Sequence, residues 1–136
     1  KSKRKYSYRF LFLPETIGSI AYLSKNLSNL KKNLIAGFIT VCVGDGGKFS
    51  YIPSRYEKNN ADKAIKYVLK KNKLKFIKYS WLDRGSDERQ FGSPFIDLPI
   101  ASLTRTKYGK YKEYHTSLDR LGSVVTEKNL KKSLKF

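Results

Sequence analysis

The sequence predicts an α/β domain: a mixed, mostly parallel sheet flanked by helices. Three observations predict it. Strand-like apolar runs alternate with amphipathic helical stretches, the order expected of strands joined by helical crossovers. Hydrophobic residues make up 40% and aromatic residues 14% of 136 residues, a globular composition that can support a core in one domain. Turn-forming Gly, Pro and Asn punctuate the runs, and there is no internal repeat or low-complexity tract.

After a basic lead-in from Lys1 to Lys5, Tyr6–Leu13 is aromatic and apolar and ends at Pro14, which predicts a central strand. Ile17, Ile20, Ala21, Leu23, Leu27 and Leu30 recur at helical spacing, so a helix should run to Lys32–Asn33. Leu34–Val43 reads as a second buried strand, Gly44–Gly47 as a turn, and Phe49–Pro53 as a short extended piece. Ala61, Ala64, Ile65, Val68 and Leu69 mark a helix from about Asn60 to Lys71, capped by Asn59 or Asn60. Lys75–Trp81 alternates like an edge strand. Asp83–Gly92 is polar and reads as a loop, Leu98–Leu103 as another strand, and Tyr108–Asp119 as a loop carrying His115. Thr126 caps a last helix that opens at Glu127.

The composition bounds the function classes. The net charge of +18 comes from 29 Lys and Arg against 11 Asp and Glu. Lysines are scattered along the whole chain and arginine is the minority, a pattern of solvated surface rather than of a nucleic-acid stripe. The acids are not scattered: six of the 11 fall between Asp83 and Asp119. No apolar run reaches the length that spans a bilayer, so no membrane partner is expected. The only cysteine, Cys42, lies in the apolar run Ile39–Val43. It reads as a core thiol in a reducing compartment, which points to the cytoplasm. The chain opens on Lys1, so it is expected to be a piece of a longer protein.

Three constellations carry candidate chemistry. In Phe12-Leu13-Pro14-Glu15-Thr16-Ile17-Gly18-Ser19, a glutamate stands between a predicted strand and a helix N-terminus, where the helix dipole favours its charged form. Read structurally, it is a first-turn glutamate. Ser86-Asp87-Glu88 places two acids in a polar loop beside Arg84 and Arg89, and the plain reading is a solvated or ion-paired loop. Tyr114-His115-Thr116 places the only histidine between Glu113 and Asp119. Neutral imidazole is the commonest protein metal ligand, and a carboxylate can orient its ring. A lone histidine is more often a surface residue. In a parallel-type sheet these loops follow strands, so the candidate residues are expected on one rim. Asp45, after the second strand, is expected there too.

In this order the three motifs resemble the co-catalytic zinc aminopeptidase superfamily, which includes the glutaminyl cyclases. Pro-Glu-Thr-Ile-Gly-Ser, Asp-Arg-Gly-Ser-Asp-Glu-Arg-Gln and Glu-Tyr-His-Thr-Ser are closest to a bacterial aminopeptidase-like branch, some members of which are encoded among polysaccharide-biosynthesis genes. The likeness covers almost the whole chain. It implies a zinc cofactor, a small peptide or amide substrate, His115 as a zinc ligand, and Glu15 as general base. It also implies Asp87 on the substrate side, able to hold an amine. The chain departs from the family at two points. Thr16 stands where the family carries a second glutamate, a ligand, which makes Glu15 an alternative candidate for the ligand. The strand-end aspartate ligand has no match in Val41-Cys42-Val43-Gly44. The resemblance therefore implies that residues 1–136 are one domain, the C-terminal portion of a zinc aminopeptidase-like domain whose first ligands lie upstream, and that this portion alone is inactive. Two rival readings stand beside it: a catalytically degenerate binding domain on the same scaffold and, least favoured, a basic nucleic-acid-binding module.

Overall fold

A computed structural model describes residues 4–135. Strands β1 (Gly37–Thr40), β2 (Phe49–Ile52), β3 (Phe76–Lys78) and β4 (Ile100–Thr104) form one sheet in the order β1-β4-β2-β3. The pairs β1–β4 and β2–β3 are parallel, and β2–β4 is antiparallel. The sheet is thus mixed and mostly parallel, as the alternation predicts. Among the described residues no helix is long and apolar enough to cross a membrane.

Helices cover both faces. On one, Leu23 and Leu30 of α1 (Ile17–Asn33) pack with Phe91 of α3 (Glu88–Phe91) on Ile39 and Ile100. On the other, Ala61, Ile65 and Leu69 of α2 (Asn60–Lys71) pack on Phe49, Tyr51 and Ala101. Ile100 and Ala101 serve opposite cores because side chains alternate across a strand. The predicted cap of α2 holds, as a capping box between Asn59 and Asp62. Asp62 does more than cap. Its buried carboxylate accepts the Tyr51 hydroxyl, the Ser54 hydroxyl at 2.5 Å, and the backbone N–H groups of Ser54 (2.9 Å) and Asn59 (3.2 Å). The last helix, α4 (Glu127–Ser133), is capped by Thr126 as read from the sequence. Arg105, buried over the Phe49 ring, ties this helix to the 44–47 turn by donating to the Gly47 carbonyl and to Ser133 Oγ, each at 2.8 Å.

Three expectations are corrected. Tyr6–Leu13 is not a strand: its residues are in irregular backbone, and Phe10 and Phe12 are 79% and 94% exposed. A strand needs a neighbour's backbone groups, and none among the described residues pairs with this run. The second strand is limited to Gly37–Thr40, because Leu34 still closes α1 through Leu30 and Cys42 takes φ 48°. The polar Asp83–Gly92 segment is not all loop: it begins at the end of a 3-10 turn over Trp81–Asp83 and holds the short α3, whose Phe91 and Glu88 are buried.

Candidate active site

The chain enters α1 through an unusual turn. Thr16 has φ 64° and ψ −68°, and the Ile17 N–H reaches the Glu15 carbonyl at 2.7 Å. This is a three-residue γ-turn in its rare, strained positive-φ form. Gly18 is required beside it, because a Cβ there would sit 2.8 Å from Pro14 Cδ. The turn leaves Glu15 exposed at the head of the helix.

The Asp87 loop grips this turn. Asp87 Oδ1 accepts the Thr16 N–H at 2.7 Å, and Arg89 donates to Thr16 Oγ1 at 3.3 Å. The loop is anchored by Glu88, 1% exposed. Its Oε1 accepts the N–H groups of Gly85 (2.9 Å) and Ser86 (3.0 Å) and the Tyr108 hydroxyl (2.5 Å). Gly85 lets Tyr108 lie this close, since a Cβ would meet its ring at 2.6 Å. Sequence reasoning treated Glu88 as a surface acid. The signal it passed over was Phe91 three residues on, which buries this face of the segment.

His115 lies on the second loop, exposed, with φ 58°. Its ring stacks on Tyr114 at 3.9 Å between centroids and 17° between planes. Burial first, and then the negative charge of Glu15, push the Tyr114 phenol above its ordinary value. Glu15 is thus within electrostatic reach of Tyr114, the ring on which His115 stacks. Asp119 does not turn toward the imidazole. It accepts the Tyr111 hydroxyl at 2.7 Å. Asp45 is occupied as well, by Thr106 Oγ1 (2.5 Å) and by the N–H groups of Gly47 and Thr106.

Cys42 lines a cleft of about 240 Å³ at the strand ends, together with Tyr111, Asp119 and Val125. Its Sγ lies 3.6 Å from the Tyr111 hydroxyl. Burial pushes the thiol up. The Tyr111 contact opposes this, and the charges of Asp119, Asp45 and Glu15 reinforce it. Cys42 is thus held as a neutral thiol, the opposite of what a nucleophile needs.

Tyr51, Tyr108 and Tyr111 are each pushed above the usual phenol range. Burial is the first cause in all three. The hydrogen bonds to Asp62 and Glu88 come next for the first two, and those to Cys42 and Asp119 for Tyr111. With folded values raised, the unfolded chain ionises first. Their contribution to stability is complete below about pH 10 and is lost as pH rises beyond it. An alkaline absorbance titration should show phenols that ionise only as the fold is lost. Ionisation of every phenol near pH 10 with the fold intact would contradict these contacts.

A family model described as "Domain of unknown function (DUF4910)" matches residues 1–136. A Clostridium acetobutylicum protein named "Putative polysaccharide biosynthesis protein with aminopeptidase-like domain" is 47% identical over 121 residues, 89% of this chain and 27% of its own length. A crystal structure of a "putative peptidase" from the same organism superposes with a TM-score of 0.87 at 42% identity, over 98% of this chain and 31% of that one. The chain thus spans less than a third of either relative. Both names carry the peptidase likeness read from the motifs, and neither mentions zinc. With the match running from its first residue to its last, the chain belongs to the DUF4910 family.

Proposed function

We propose that the chain is the C-terminal part of a longer aminopeptidase-like hydrolase, zinc-dependent and acting on the N-terminal amide of a small peptide or related compound. The observation that carries this reading is the electrostatic reach of the Glu15 carboxylate to Tyr114, whose ring stacks on His115. The peptidase names of the relatives support it at the coarser level.

A carboxylate and an imidazole are the right donors for zinc, but a catalytic zinc takes three protein ligands. Among the described residues no three His, Cys, Asp or Glu side chains converge to hold a metal. The donor chemistry fits and the count does not, so in this reading the remaining ligands come from elsewhere in the longer protein. Zinc, when bound, supplies an acidified water and a polarised carbonyl. Glu15, exposed at the head of α1, takes the proton in this reading. With Thr16 in place of a second glutamate, it is also the carboxylate available as a ligand. The neutral Cys42 thiol suits a reducing compartment, here taken as the cytoplasm. No role is given to nucleic acid, because the scattered lysines form no stripe.

One observation favours a second reading, a binding domain that has lost turnover: the missing third donor together with Thr16. A panel of aminoacyl p-nitroanilides offered to the full-length protein separates the two. The hydrolase reading predicts release that a chelator abolishes and added zinc restores. No release with any member, at any zinc concentration, would favour the degenerate domain.

A further inference from the structure

The strained turn at Thr16 has no packing purpose of its own. Threonine is β-branched, and such residues are outliers at positive φ. A strained turn of this kind persists only when its surroundings over-determine it, and such turns gather at functional sites. Here the flanking residues bury nothing: Glu15 is exposed and Ile17 is 71% exposed. What the turn does is set the direction in which Glu15 leaves the backbone. What holds the turn is the Asp87 carboxylate, 2.7 Å from the Thr16 N–H. Asp87 is itself fixed, because its carbonyl accepts the N–H groups of Gln90 (3.0 Å) and Phe91 (3.2 Å), and Phe91 is 6% exposed in the core. The chain of contacts runs from the core through Asp87 to the Thr16 amide and ends at Glu15.

We propose that Asp87 is a positioning residue: through the Thr16 amide it clamps the strained turn that aims the Glu15 carboxylate. This rests on the reading of Glu15 as the working carboxylate of the site. It stands against the substrate-amine role implied by the resemblance, since Oδ1 serves a backbone donor.

The two roles of Asp87 differ in what they require. A clamp needs an acceptor oxygen. An amine site needs a negative charge. Two variants of the full-length protein separate them, assayed on an aminoacyl p-nitroanilide. Asp87→Ala, which removes the acceptor, should lower kcat at least about tenfold with KM within about twofold. Asp87→Asn keeps an acceptor and should recover most of that loss. An Asp87→Asn variant as impaired as Asp87→Ala, with KM raised about tenfold or more, would assign the carboxylate to the substrate and overturn the clamp. So would an Asp87→Ala variant that keeps the wild-type kcat.

A second measurement does not depend on turnover. Crystal structures of the Asp87→Ala and Asp87→Asn proteins should show Thr16 relaxed to negative φ with Glu15 displaced in the first, and the wild-type turn in the second. An unchanged turn in Asp87→Ala would refute the clamp even if the protein cleaves amides. A relaxed turn in a protein that cleaves nothing would keep the clamp and count against the hydrolase reading alone.

Discussion

Glu15→Gln in the full-length protein should lower turnover of an aminoacyl amide by about 10²–10⁴, the range set by loss of a positioned proton acceptor. Tm should hardly move, because Glu15 is exposed and surface substitutions usually stay within about 0.5 kcal/mol. The metal content of the same variant divides the two roles of this carboxylate. Zinc retained with activity lost identifies a base, and zinc lost with activity identifies a ligand. Full activity in Glu15→Gln would remove this residue from the account.

Asp62→Ala should give the largest loss of stability in the molecule. Its carboxylate is 1% exposed and accepts four hydrogen bonds, joining the start of α2 to β2 and to the Pro53–Ser54 corner. Removing it leaves buried donors without partners, which costs about 3–5 kcal/mol. For a chain of this size that lowers Tm by roughly 10–20 °C. Asp62→Asn, which keeps an acceptor, should lose about half as much. A thermal melt in which Asp62→Ala falls by less than about 3 °C would show that the hub is replaceable.

What could be read from the sequence divides by range. Helix α2 was legible because its information is local: apolar residues at helical spacing and an asparagine three residues before an aspartate. Thr126 signalled α4 in the same way. Tyr6–Leu13 misled because alternating aromatics report a surface that wants burial, not the presence of a partner strand. The Asp83–Gly92 loop misled in the opposite sense. Its charges suggested solvent, yet Glu88 is buried under three donors that lie in the loop itself and on Tyr108. The motifs around Glu15 and His115 were visible, as was their order. The γ-turn was not, since threonine carries no preference for positive φ. It is imposed by Asp87, 71 residues away in sequence.

The most direct test of the shared cation is the zinc content of purified full-length protein, measured by mass spectrometry for wild type and His115→Ala. The account predicts zinc in the wild type and its loss on replacing the imidazole, with the fold retained because His115 is exposed. A wild type free of zinc after exposure to the metal, or a His115→Ala protein that holds as much as the wild type, would contradict it.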